Sequence, residues 1–78
     1  MNQQAQQLAI CLDNTGNEAS LIPGKVYPVL PDERAAPDGF IRVIDESGDD
    51  YVFAKTQFAF VEFPEAVTAR ILALSGIR

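Results

Sequence analysis

The alternation of apolar and polar residues is clearest between residues 39 and 53, where it predicts two β-strands folded back on each other. Both runs are rich in β-branched and aromatic side chains, and Ser47 and Gly48 lie between them. Glycine supplies the positive φ that a tight hairpin turn requires, so we expect a two-residue turn at this point. The chain is therefore predicted to be a small, mostly β domain.

Shorter apolar runs predict three further strands on either side of this hairpin, over residues 8–12, 25–30 and 58–62. A single 3₁₀ turn is expected over residues 54–58, which are too few for an α-helix. Pro28 lacks a backbone N–H, so it predicts that its strand lies at a sheet edge or carries a bulge.

The hydrophobic period changes near the C-terminus. Val67, Ile71 and Leu74 are spaced by four and three residues, which predicts an apolar stripe on a helix over residues 65–75. Pro64 is expected at the first helical position and Gly76 at the end of the helix. So short a helix is not stable alone in water. The stripe should therefore rest on the hairpin of the same chain or on a second copy, which leaves a monomer or a homodimer.

The hairpin has two apolar faces in the register that a two-residue turn would set. The small and β-branched face is expected to fill the interior, and it consists of Ile41, Val43, Val52 and Ala54. The opposite face is a candidate interaction surface, and it consists of Phe40, Arg42, Ile44, Tyr51 and Phe53. Exposed aromatic residues beside an arginine are typical of binding surfaces. The C-terminal helix or a second subunit could instead cover this face.

Four acidic residues flank the predicted turn: Asp45, Glu46, Asp49 and Asp50. With a two-residue turn, Glu46 opposes Asp49 and Asp45 opposes Asp50, and like charges directly across a hairpin repel each other. We expect hydration, or capping of backbone N–H groups by these carboxylates, to offset the repulsion. A hard cation such as Ca²⁺, or a basic partner surface, is the alternative.

Three short motifs in this order resemble a group of small bacterial and phage proteins. The motifs are DNTG at residues 13–16, GKVYPVL at 24–30 and RVIDESGDDY at 42–51. The group is taken to be SH3-like and has no agreed function, so the resemblance implies a small SH3-like β-barrel of about five strands with a short C-terminal α-helix. We expect a flexible leader over residues 1–7, the barrel over 8–63 and the helix over 64–75.

Composition excludes several classes of site. The 78 residues include one cysteine, Cys11, and no histidine, which excludes an internal disulfide, a structural zinc site and a Ser–His or Cys–His catalytic pair. No cofactor or metal is expected. The single thiol, together with the lack of a secretory signal or membrane-spanning run, predicts a cytoplasmic protein. The net charge of −5 disfavours nucleic acid as a partner.

These observations predict a non-catalytic protein-interaction module that binds an unknown protein or a second copy of itself. An SH3-like accessory domain associated with nucleic acid is one alternative, which a basic patch in the folded protein would favour. A hydrolase-like enzyme is another, which a deep pocket with converging acids would favour.

Overall fold

The computed structural model describes residues 7–74, which form one five-stranded antiparallel sheet followed by an α-helix. The strands are β1 (Gln7–Cys11), β2 (Val26–Leu30), β3 (Phe40–Ile44), β4 (Asp50–Ala54) and β5 (Phe58–Val61). The helix, α1, spans Glu65–Leu74. The mostly β fold with a short C-terminal helix that the sequence predicts is confirmed.

Two 3₁₀ turns complete the connections, one over Ala36–Asp38 and the other over Lys55–Gln57. The second confirms the turn predicted between the hairpin and the last strand. Gln7, which the sequence assigns to the leader, is the first residue of β1. Residues 1–6 of that leader, and the predicted helix end at Gly76, lie outside the described residues.

The sheet curls enough to bring one side chain from each edge strand into contact, although it is not closed. Its strand order is β4-β3-β2-β1-β5, so β4 and β5 are the edges and a closed barrel is not confirmed. The ring centroids of Phe53 on β4 and Phe58 on β5 nevertheless lie 6.1 Å apart, with the ring planes at 59°. The core fills the inside of this curl and is formed by Ala9, Cys11, Leu21, Tyr27, Val29, Ile41, Val43, Phe53 and Phe58.

The hairpin between β3 and β4 turns through three residues, where the sequence predicts two. The Asp45 N–H donates to the Asp49 carbonyl over 3.1 Å, and the Gly48 N–H donates to the Asp45 carbonyl over 3.0 Å. Gly48 has a φ of +86°, the left-handed conformation that closes three-residue hairpin loops. The additional loop residue places Val43 opposite Tyr51 and Ile41 opposite Phe53, one position away from the predicted register.

This shift exchanges the two faces of β4, because neighbouring residues of a strand point to opposite sides of the sheet. Phe53, predicted on the interaction surface, is only 6% exposed and belongs to the core. Val52, predicted to be buried, is 41% exposed, so that prediction is wrong. Ile41 and Val43 are buried as predicted.

Pro28 does not mark an edge strand, because β2 lies inside the sheet between β3 and β1. Its pairing with β3 is limited to Val29 opposite Val43 and Leu30 opposite Arg42. Pro28 therefore lies beyond the end of the β2–β3 ladder, where the missing N–H breaks no pairing with β3.

The helix begins one residue later than predicted, and only part of the predicted stripe lies against the sheet. Pro64 precedes α1, and its carbonyl accepts the N–H groups of Val67 and Thr68 at 2.9 and 3.0 Å. Ile71 is half-buried and lines one crevice with Val26, Pro28 and Ile44, on the outer side of the sheet. The other two residues of the predicted stripe are exposed, Val67 at 42% and Leu74 at 77%, and of these Leu74 borders the same crevice as Ile71.

Candidate functional site

The acidic residues at the hairpin tip have separate partners within the protein. The Asp45 side chain is buried, and its Oδ1 accepts the Ser47 N–H at 2.9 Å and the Ser47 hydroxyl at 2.5 Å. Asp50 lies 3.0 Å from the Arg42 guanidinium, measured from Oδ2 to Nη1. Among residues 7–74, Asp49 is the one member of the four whose carboxylate has neither a hydrogen-bond nor an ion-pair partner.

Glu46 joins the hairpin tip to β2. Its Oε2 accepts the Tyr27 hydroxyl proton and lies 2.5 Å from the Lys25 Nζ. The Lys25 ammonium, and after it the Tyr27 hydroxyl, hold the pKa of Glu46 below its usual value. Burial is the main reason that the pKa of Tyr27 is raised, and its bond to Glu46 adds to the effect. This chain of contacts is consistent with a structural role for Glu46.

The observed register changes which acidic residues face each other, because Asp50 lies opposite Ile44 and Asp45 lies opposite Asp49 at the end of the ladder. Internal capping, the favoured interpretation of the tip, is present at Asp45. Within residues 7–74, no group of three or more acidic or cysteine side chains is placed to hold a metal ion.

Arg42 connects the hairpin to the loop that follows β2. Its Nε lies 2.8 Å from Asp32 Oδ2, while its Nη1 reaches Asp50. Asp32 Oδ1 also accepts the backbone N–H groups of Arg34 and Ala35, at 3.0 and 2.9 Å. The Ala35 N–H and the Arg42 guanidinium hold the pKa of Asp32 below its usual value. Arg42, predicted as part of an interaction surface, is thus occupied by two carboxylates of its own chain.

A pocket of about 440 Å³, here called the end pocket, opens where β1 and β3 begin and β2 and β5 end. Phe40 and Phe60 line it, and each is 41% exposed. The Lys55 Nζ lies 6.0 Å from the centroid of the Phe60 ring. The complete lining of the end pocket comprises Gln7, Val29, Leu30, Pro31, Asp32, Ala36, Phe40, Ile41, Arg42, Lys55 and Phe60.

The five residues of the predicted interaction surface are not brought together. Phe40 lines the end pocket, and Ile44 lies in the crevice beneath α1. Tyr51 is exposed near the hairpin tip, while Phe53 is in the core. Sequence reasoning missed Phe60 as a neighbour of Phe40, because their proximity depends on the sheet order, for which the local pattern carries no signal.

Cys11 is buried in β1 and belongs to the core. Burial raises the pKa of its thiol, which disfavours the reactive thiolate. Cys11 is therefore a packing residue in the described fold.

Comparison of the chain with protein-family models, curated proteins and solved structures found no match. The resemblance to SH3-like bacterial and phage proteins therefore stays a prediction. Within residues 7–74, no helix has the length and apolar character needed to cross a membrane.

Proposed function

We propose that this protein is a non-catalytic interaction module of SH3-like architecture that binds a segment of another protein in the end pocket. The observation that carries the proposal is the exposure of two phenylalanines, Phe40 and Phe60, on the lining of one pocket. The strand order and the contact between Phe53 and Phe58 support the SH3-like architecture, because they describe a short, strongly curled sheet whose two edge strands share one side-chain contact.

The chemistry of the end pocket suits an apolar side chain on a peptide. Val29, Leu30 and Ile41 contribute aliphatic lining between the two phenylalanines. Gln7 adds a side-chain amide, which can both donate to and accept from a peptide backbone. Pockets of this size, mostly apolar with a few polar groups, are typical of ligand sites. We therefore expect an extended segment that inserts one aromatic or large aliphatic side chain.

The two other function classes receive less support. Binding to nucleic acid needs several free cations that can meet phosphates together. Lys25 pairs with Glu46, and Arg42 pairs with Asp32 and Asp50. The bases of residues 7–74 that make no ion pair lie on three different segments: Arg34 in the loop after β2, Lys55 in the second 3₁₀ turn and Arg70 in α1. Hydrolysis by acid–base chemistry needs a carboxyl group of raised pKa. Asp32, the carboxylate on the lining of the end pocket, has a lowered pKa and bonds to its own loop.

Selection from a library of random peptides, followed by calorimetric titration of the enriched sequences, tests this proposal. Phe60→Ala and Phe40→Ala should each weaken binding by about tenfold or more, as expected for truncation of an aromatic anchor. Tyr51→Ala is the matched control, because Tyr51 is an exposed aromatic residue outside the end pocket. Failure to enrich any sequence, or equal binding by Phe60→Ala and the parent protein, would contradict the proposal.

A further inference from the structure

Strand β4 presents an unpaired edge. Its ladder with β3 continues at both ends, through the Lys55 N–H donating to the Gly39 carbonyl at 2.9 Å and the Asp45 N–H donating to the Asp49 carbonyl. Antiparallel ladders alternate, so Tyr51 and Phe53 also direct their backbone groups toward β3. The N–H and C=O groups of Asp50 and Val52 and the N–H of Ala54 therefore point away from β3, and within residues 7–74 they have no hydrogen-bond partner. The Ala54 carbonyl begins the 3₁₀ turn over Lys55–Gln57.

Nothing in the sequence of β4 blocks pairing at this edge. Natural edge strands are commonly protected by proline, lysine or a bulge within the strand. The five residues Asp50–Ala54 include neither proline nor lysine, and their pairing with β3 is continuous. Val52, at the centre of the strand, is 41% exposed.

The charges at the two ends of β4 are complementary to those of a second copy. In an antiparallel pair related by a two-fold axis at Val52, Asp50 lies opposite Ala54 and Asp49 lies opposite Lys55. Asp49 carries the tip carboxylate that has no partner, and within residues 7–74 the Lys55 ammonium has no carboxylate partner. Opposite charges at facing positions stabilise strand pairs, and the symmetry supplies this contact twice.

The other edge of the sheet, β5, has no such complementarity. The Leu12 N–H donates to the Gln57 carbonyl, so Phe58 and Phe60 direct their backbone groups toward the free edge. Pairing of two copies about Phe60 would place Glu62 opposite the buried Phe58. The positions of the charged residues therefore favour β4 over β5 as the edge at which two copies pair.

We propose that two copies of this chain associate edge to edge through β4, antiparallel about Val52, with Asp49 of each copy paired to Lys55 of the other. The two sheets then form one continuous sheet across the dimer. Val52 meets its own symmetry mate at the centre, and Tyr51 faces Phe53 of the second copy. The proposal shares Lys55 with the lining of the end pocket, but it does not depend on the function proposed there, because neither Phe40 nor Phe60 takes part in the pairing.

Charge exchange tests the register of this dimer. Asp49→Lys should weaken dimerisation by about tenfold, since each symmetric contact changes from attraction to repulsion. The double variant Asp49→Lys with Lys55→Asp restores the opposite charges, so it should recover most of the parent affinity in sedimentation equilibrium. Glu33→Lys is the control, because it makes the same change of net charge at an exposed residue away from β4.

Amide hydrogen exchange, measured by NMR as a function of protein concentration, tests the edge directly. The Val52 N–H should exchange fast in dilute protein and slowly at millimolar concentrations, whereas the amides of Tyr51 and Phe53 should be protected at both, because they bond to β3. This readout needs no substitution, so it does not depend on how well a variant folds.

A protein that sediments as a monomer at millimolar concentrations overturns the proposal. A dimer with an unprotected Val52 amide overturns it equally, because the contact then lies elsewhere. If Asp49→Lys leaves the dimer unchanged, or if the charge-exchanged double variant does not recover it, the register about Val52 is wrong. Protection of Val52 only after addition of a peptide would show that the edge receives another protein, which also contradicts self-pairing.

Discussion

The hydroxyl of Tyr27 on β2 bonds to Glu46 in the hairpin tip and, at the same time, accepts the backbone N–H of Ile22 at 2.8 Å. One side chain thus joins three segments: the loop before β2, β2 itself and the turn between β3 and β4. The Lys25 Nζ lies 5.5 Å from the centroid of the Tyr27 ring and completes the cluster. We expect this cluster to fix the position of the tip relative to the sheet.

Tyr27→Phe should lower the free energy of unfolding by about 1 kcal/mol, because it removes one hydroxyl that makes two hydrogen bonds and leaves the buried ring in place. Urea denaturation followed by circular dichroism measures the change. Tyr51→Phe is the matched control, since Tyr51 is exposed and its hydroxyl makes no hydrogen bond to another residue of the described chain. Equal stabilities of the two variants would show that the Tyr27 hydroxyl contributes nothing.

The lowered pKa of Glu46 predicts a contribution to acid unfolding. A carboxyl whose folded pKa lies below its unfolded pKa stabilises the fold fully above the unfolded value, and this contribution is lost as the pH falls through the folded value. Glu46→Gln should therefore lose less stability than the parent when the pH is lowered from about 5 through the ordinary glutamate pKa of about 4.3.

Thermal unfolding at a series of pH values measures this difference for Glu46→Gln. Glu33→Gln serves as the control, because Glu33 is exposed and makes no ion pair within residues 7–74. Parallel curves of stability against pH for Glu46→Gln and the parent would show that the contacts with Lys25 and Tyr27 do not favour the charged form.

The strand positions could be predicted from the sequence, whereas the hairpin register could not. Strands are encoded by local runs of apolar and β-branched residues, which the chain contains in each of the five places. The register depends on whether the loop holds two or three residues. The three-residue loop is stabilised by the Asp45 carboxylate, which accepts hydrogen bonds from the Ser47 N–H and hydroxyl. The segment Asp45-Glu46-Ser47-Gly48 is compatible with this three-residue loop, but the same sequence is also compatible with a two-residue turn.

The side of the helix that faces the sheet could not be predicted either, because α1 is apolar on most of its surface. Seven of its ten residues are alanine, valine, isoleucine or leucine. A stripe through Val67, Ile71 and Leu74 and another through Ile71 and Leu72 fit the sequence equally well. The end pocket could not be predicted for a related reason. It combines residues from β1, β3 and β5, which come close together only in the strand order of the folded sheet.

The observed register predicts losses of stability of very different size for two neighbouring substitutions in β4. Phe53→Ala removes a buried ring and should cost about 3–5 kcal/mol, comparable to the whole stability of a domain of this size. Val52→Ala shortens an exposed side chain and should cost less than about 1 kcal/mol. Amide dispersion in NMR spectra and urea denaturation distinguish them, and an unfolded Val52→Ala beside a folded Phe53→Ala would indicate the two-residue turn.

The last prediction concerns the contact that holds α1 on the protein. Ile71 lines a crevice with Val26, Pro28 and Ile44, so Ile71→Asp places a charge against an apolar surface and should detach the helix. Val67→Asp introduces the same charge one turn away, at a residue that is 42% exposed and lies outside this crevice, and should leave the helix in place.

Thermal stability and helical circular dichroism should therefore fall for Ile71→Asp and stay near the parent values for Val67→Asp. Sedimentation of both variants separates packing within one chain from packing between copies. Loss of a dimer in Val67→Asp would mean that the exposed side of α1 is an interface, in place of the β4 edge. If neither variant changes stability or mass, the contact of Ile71 with the sheet does not stabilise the helix, and its ten residues are held by something other than this crevice.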